Sequence, residues 1–145
     1  MTIYIDGDGC PVIDLTILTA KKYNIPVIIV CDTCHEIQKK GAETVKVDKG
    51  SDFADYYIVN LLKENDIVVT GDYPLAAMVL AKKSKAINHN GLIFSDKNID
   101  SLLLRRHIAK KIRRSGKHLK GPSKRKEEDN INFLKGLEFL LKDDI

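Results

Sequence analysis

Residues 26–31, Pro-Val-Ile-Ile-Val-Cys, form an unbroken apolar run. Successive side chains of a strand point to opposite faces, so such a run reads as a strand buried on both sides. Parallel sheets covered by helices on both faces provide that environment. Asp66–Gly71, with Ile67-Val68-Val69 at its centre, reads the same way, and Thr2–Ile5 and Thr44–Val47 supply shorter strands. Segments of helical period alternate with them. Pro11 opens a helix carrying Val12, Ile13, Leu15, Leu18 and Thr19 to about Tyr23, where Asn24 breaks the run. A second helix, from about Asp52 to Glu64, is expected to turn Phe53, Tyr56, Tyr57, Leu61 and Val59 inward. Pro74 opens an Ala- and Leu-rich helix to about Ser84, and Ala86-Ile87 and Leu92–Phe94 flank a turn at Asn88–Gly91. Asn98 caps a longer helix to about Arg114, with Ile99, Leu102, Leu103, His107 or Ile108, and Ile112 inward. This alternation predicts an α/β fold with a mainly parallel central sheet flanked by helices.

The 145 residues fit one domain over 1–145, with a basic linker at about 115–126 and a C-terminal helix at about 127–142 whose stripe is Ile131, Leu134, Leu137 and Leu141. No apolar stretch approaches the roughly 18–20 residues that span a bilayer. The N-terminus starts directly on a strand-like run, without a basic region or cleavage site, so the expectation is a cytoplasmic protein with no membrane partner. Three cysteines, an odd number, argue against a disulfide framework.

Charge is distributed unevenly. Residues 1–104 carry 11 Lys and Arg against 14 Asp and Glu, a net of −3; residues 105–126 carry 11 basic residues and no acid; residues 127–145 have a net of −4. An acidic body beside a basic strip suits an anionic polymer such as nucleic acid. Arg105, Arg106, Arg113, Arg114, Lys117, His118 and Lys120 are the candidate phosphate contacts. The bland alternative is a solvated helix face and linker.

Acids stand at the ends of these elements. Asp6 and Asp8 follow Ile3-Tyr4-Ile5, Asp72 follows Ile67–Gly71, and Asp52 and Asp55 open a helix, three residues apart. In parallel α/β sheets, sites gather beyond the C-terminal strand ends. Asp6 and Asp8 can project to one side there, and neighbouring carboxylates repel each other unless a cation or shared proton offsets the charge. Oxygen-only ligation points to Mg²⁺ or Mn²⁺, not zinc. Several of these acids also have a plain structural explanation as helix caps, since Asp52 in a first helical turn is favourable without metal. Cys31-Asp32-Thr33-Cys34-His35 matches the spacing of haem attachment, but that chemistry needs export and no second cysteine pair is present for zinc, so no haem and no zinc are expected. Cys10 reads as a small packed residue whose thiol nearby carboxylates keep protonated.

Asp6-Gly7-Asp8-Gly9-Cys10-Pro11-Val12 resembles the Asp-Ala-Asp-Ala-Cys-Pro-Val opening of the YaiI/YqxD family of bacterial proteins. The likeness continues through Gly50-Ser51-Asp52-Phe53-Ala54-Asp55 and Val69-Thr70-Gly71-Asp72-Tyr73-Pro74, then through Asn98-Ile99, Arg105-Arg106 and Gly121-Pro122 to Phe133. That family is similar to PIN and NYN nuclease-like domains, three-layer α/β folds with acids around a divalent metal. The resemblance implies a three-layer PIN-like fold and maps the acidic cluster onto Asp6, Asp8, Asp52, Asp55 and Asp72. Ser123-Lys124-Arg125 stands where the family continues Ala-Pro-Phe, so an apolar anchor for the last helix is missing.

Together these readings predict a Mg²⁺- or Mn²⁺-dependent nuclease, with RNA ahead of DNA as substrate. Asp6, Asp8 and Asp72 form the catalytic set, Asp6 and Asp72 as direct ligands, and Asp8, Asp52 and Asp55 act through water or orient the nucleophile. The alternatives are a non-catalytic nucleic-acid-binding domain and a small-molecule phosphohydrolase.

Overall fold

Five parallel strands form the centre of the protein, in a computed structural model that describes residues 1–32, 39–50, 52–119, 121 and 124–142. They are β1 (Ile3–Asp6), β2 (Val27–Cys31), β3 (Glu43–Lys46), β4 (Ile67–Val69) and β5 (Lys85–Ile87). The helices are α1 (Ile13–Lys22), α2 (Phe53–Leu61), α3 (Tyr73–Ala81), α4 (Ile99–Arg114) and α5 (Glu127–Lys142). The sheet order is β3-β2-β1-β4-β5, and every pairing between named strands is parallel.

The period-2 alternation of the strands sorts the core into two layers. Ile3, Ile5, Val27, Ile29 and Val69 face α1 and α5. Tyr4, Val30, Val68 and Ala86 face α2, α3 and α4. The result is the expected three-layer α/β architecture. After β5 the chain turns back at residues 88–91, where Asn88 Oδ1 accepts from the backbone N–H of Asn90 and of Leu92. Ile93 then forms a single antiparallel bridge to Ile87.

Three helices present faces other than those expected. On α2, Tyr57 and Val59 pack half-buried against the core as expected, and Asp55 and Ile58 are buried, as is Leu62 just beyond it, while Phe53, Tyr56 and Leu61 are exposed. The aromatic residues suggested an apolar face, but the helix seats its smaller face on the sheet. On α4, which packs on α3, only Ile99 is buried; Leu102, Leu103 and Ile112 are half-buried, and His107 and Ile108 are exposed. On α5 Ile131 is exposed, and Phe133, Leu137, Leu140 and Leu141 form the buried stripe.

The last helix is anchored although the apolar triplet is absent. Arg125 donates from Nε and Nη2 to Asn130 Oδ1 (2.9 and 2.7 Å), from Nη1 to Asn90 Oδ1 (2.8 Å) and from Nη2 to the His89 carbonyl (2.8 Å). Close backbone approach completes the contact: a Cβ on Gly91 would lie 2.2 Å from the Asn132 carbonyl oxygen, and one on Gly136 would lie 2.8 Å from that of Gly91. Among the described residues, no helix is long and apolar enough to cross a membrane.

Candidate functional site

In the order 3-2-1-4-5, α1 leaves β1 toward one face of the sheet and α3 leaves β4 toward the other. This divergence opens a crevice beyond the C-terminal ends of β1 and β4, the usual ligand position in open α/β sheets. Asp6 ends β1 there. Ile5 is in register with Val69, which sets Thr70 beside Asp6. The buried Thr70 hydroxyl donates to Asp6 Oδ2 at 2.8 Å and accepts from the Asp72 N–H at 3.0 Å. Asp72 in turn caps α3, its Oδ1 accepting from the Leu75 N–H at 3.2 Å.

Asp8 leans the other way, its Oδ2 accepting from the Asp32 N–H at 3.0 Å just past β2. The Asp6–Asp8 pair therefore splays over three adjacent strand ends. β1 stops at Asp6 and Asp8 sits in the following turn, so strand alternation does not orient the second carboxylate. Asp6, Asp8, Gly71, Asp72, His89 and Arg106 line one cleft of about 320 Å³.

The electrostatics record crowded negative charge. Burial raises the Asp6 carboxyl above its ordinary range; the Thr70 hydrogen bond opposes this, and Asp72, Asp8 and Asp32 add to it. Asp55, which α2 delivers from the neighbouring face, is 8% exposed. Burial, then the charges of Asp72, Asp6 and Asp52, push its carboxyl to about 7. Asp52 is exposed at the start of α2 in the left-handed region (φ 70), and its side chain makes no capping hydrogen bond. Asp72 thus caps its helix by a side-chain hydrogen bond, whereas Asp52 stands at the start of α2, where the helix dipole favours an acid, without one.

Among the described residues, Arg106 is the one member of the basic set that lines the cleft. Arg105, Arg113, Arg114, Lys117 and His118 are exposed on or just beyond α4; Lys120 lies outside the described residues. Arg106, Lys110 and Arg113, spaced i, i+4 and i+7, share one stripe along about 10 Å of helix.

Cys10 is free and partly buried, its thiol pushed up to about 11 by burial, with Asp6 adding to the shift. Cys31, fully buried at the end of β2, is disulfide-bonded, contrary to the expectation drawn from the odd cysteine count. Thr33, Cys34 and His35 lie outside the described residues. Another cleft, of about 860 Å³, lies elsewhere, between the end of α1 and residues 39–41. Its one carboxylate, Asp14, is paired with Lys39 at 3.1 Å, so it offers no comparable charge cluster.

Sequence reasoning passed over three contributors. Asp32 carried the same signal as the others, an acid directly after a buried strand, but was read only within the cysteine spacing. Thr70 precedes Asp72 by two residues, and nothing local marks it as a bridge. His89 packs against Gly71, where a Cβ would be 3.4 Å from its Cε1. Its buried Nε2 has no hydrogen-bond partner, and burial together with Arg125 lowers its pKa, favouring neutral imidazole.

The family described as "Uncharacterized BCR, YaiI/YqxD family" matches residues 4–143. The chain belongs to that family. It is 47% identical over 141 residues to a UPF0178 protein of Exiguobacterium sibiricum, covering 97% of this chain and 96% of the relative. A UPF0178 protein of Alkaliphilus oremlandii is 44% identical over 145 residues, 100% of this chain and 94% of its own. One from Ruminiclostridium cellulolyticum is 46% identical over 142 residues, covering 98% and 93%. No solved structure matches. These relatives establish kinship across nearly the whole chain, and their names carry no reaction.

Proposed function

We propose that the protein is a PIN-like, divalent-cation-dependent nuclease that hydrolyses RNA at the Asp6–Asp72 crevice. The observation that carries this reading is the meeting of Asp6, Asp8 and Asp72 in one cleft at the strand-order switch, with Asp55 near enough to feel the charges of Asp72 and Asp6, and with Asp6 and Asp55 both destabilised as anions.

The donor set suits a hard cation. It consists of carboxylate oxygens with excess negative charge, beside one orphaned buried nitrogen, His89 Nε2. Among the described residues, no three His, Cys, Asp or Glu side chains are already grouped as metal ligands. That combination favours an ion that keeps several waters and takes only one or two carboxylates directly, as Mg²⁺ does. Asp6 and Asp72 would hold it, with Asp8, Asp52 and Asp55 reaching it through water. When bound, the cation offsets charge on the phosphodiester and makes water easier to deprotonate.

The chain's own groups supply the rest. Thr70 fixes the Asp6 carboxylate, Arg106 meets a phosphate at the rim, and Asp55 can accept a proton near neutral pH. Water oxygen bonds to phosphorus, the bond from phosphorus to the leaving ribose oxygen breaks, and the water's proton ends on that oxygen.

Purified protein with Mn²⁺ should cleave single-stranded RNA, and Asp6→Asn or Asp72→Asn should remove cleavage without unfolding the protein. Cleavage surviving both substitutions would refute the assignment. The lack of a preformed ligand set among the described residues favours a second reading, a nucleic-acid-binding domain without catalysis, which predicts salt-dependent RNA binding and no turnover with any divalent ion.

A further inference from the structure

α2 carries its acid and its aromatics on opposite faces. Asp55 is buried toward the crevice, whereas Phe53 and Tyr56 are 52% and 56% exposed. A single exposed apolar residue needs no explanation. Here two of the chain's nine Phe and Tyr residues lie side by side at i, i+3, on the helix that supplies the crevice with a carboxylate.

The Phe53 ring also lies against Gly50. A Cβ on Gly50 would lie 2.5 Å from Phe53 Cε2 and 2.6 Å from Cδ2, so the ring rests directly on the Gly50 backbone. Glycine is the residue that leaves room for it there. The ring borders a cleft of about 370 Å³, shared with Lys46, Val47, Asp48 and Tyr57. A ring with half its surface open, beside a lysine, matches the way single-stranded nucleic acids are held: bases stack on aromatic faces while cations follow the phosphates.

The ring and the crevice lie about one helix width apart: Phe53 precedes Asp55 by two residues and sits on the opposite face of a helix roughly 10 Å across. Asp55 senses the charges of Asp72 and Asp6, and Asp52 acts on it from the other side of Phe53. Across the crevice, Arg106 begins the cationic stripe that continues through Lys110 and Arg113.

We propose that Phe53, assisted by Tyr56, is a stacking platform for a base of single-stranded nucleic acid whose backbone crosses the acid crevice toward Arg106. This deepens the nuclease reading and rests on its placement of nucleic acid at the crevice, but not on hydrolysis. Bases paired in a duplex do not offer a free face, so the platform selects single strands.

Binding can be measured without cleavage, using a fluorescein-labelled 2′-O-methyl oligouridylate in EDTA. Phe53→Ala should weaken binding about tenfold and leave the salt dependence unchanged, because stacking releases no counterions. Adding Tyr56→Ala should weaken it further. The chain has no tryptophan, so Phe53→Trp creates a lone reporter that should keep the affinity and lose emission when the oligonucleotide binds. Arg106→Gln with Lys110→Gln should flatten the salt dependence and preserve that quenching. An unchanged affinity for Phe53→Ala, an unquenched Trp in a bound complex, or no binding by the parent protein would each overturn the platform. Loss of Mn²⁺-dependent cleavage as a property, with quenching intact, would overturn the nuclease reading alone.

Discussion

Asp66 and Asp55 are both nearly buried carboxylates, 4% and 8% exposed, and they sit in opposite surroundings. Asp66 precedes β4 at the bottom of the sheet; its Oδ1 accepts from the Thr2 N–H and its Oδ2 from the Lys63 N–H, each at 2.9 Å. These donors offset the loss of hydration and tie the start of β1 to the turn before β4. Asp55, toward the other end of the sheet, faces Asp72, Asp6 and Asp52. The difference separates a carboxylate that completes the fold from one that the fold leaves in need of a proton or cation. Burial alone does not make an acid functional; the sign of what surrounds it does.

The sharpest way to break this comparison is to remove each acid and measure urea unfolding. Asp66→Ala should cost about 3 kcal/mol, because it leaves two partly buried N–H groups without acceptors. If Asp66→Ala were neutral and Asp55→Ala cost as much, the roles would be reversed. The next effect is metal linkage. At a Mn²⁺ concentration one hundred times its dissociation constant, the parent protein should gain about 2.7 kcal/mol, and Asp6→Asn with Asp72→Asn should gain none.

A smaller effect comes from pH. The folded state holds the Asp55 proton up to about 7, against 3.8 as the ordinary value, so it binds that proton more tightly than the unfolded chain. Stability should therefore be full below about pH 4 as far as this group is concerned, and should fall as pH rises to about 7. With allowance for solvent screening at the cleft, the loss is about 1–2 kcal/mol. Asp55→Asn should remove it, seen as a flatter melting temperature between pH 5 and 8. The smallest effect separates the helix cap that Asp72 provides from the ligand role proposed for it. Asp72→Ala should lose about 1 kcal/mol of helix capping, whereas Asp72→Asn keeps an acceptor for Leu75 and should lose cleavage but little stability.

The chain's local chemistry determined much of this molecule. The apolar runs at 26–31 and 67–69 became buried parallel strands, Pro74 lies in the first turn of α3, and Asp6 and Asp72 stand beyond strand ends as read. Such features depend on a residue and its near neighbours, so periodicity and capping preference reveal them. Tertiary structure decided what depends on distant parts meeting. The 3-2-1-4-5 order brings Thr70 to Asp6 across 64 residues, and the turn at 88–91 brings His89 to Gly71. Arg125 holds α5 to that turn through hydrogen bonds, in place of the apolar anchor the sequence lacks. The choice of buried face on α2 also belongs here. Phe53 and Tyr56 looked like core because they are apolar, yet seating Ile58 and Leu62 on the sheet sent Asp55 inward and left the aromatics outside. Hydrophobicity marks which residues favour burial; only the packed sheet, with finite room on each face, selects which of them obtain it.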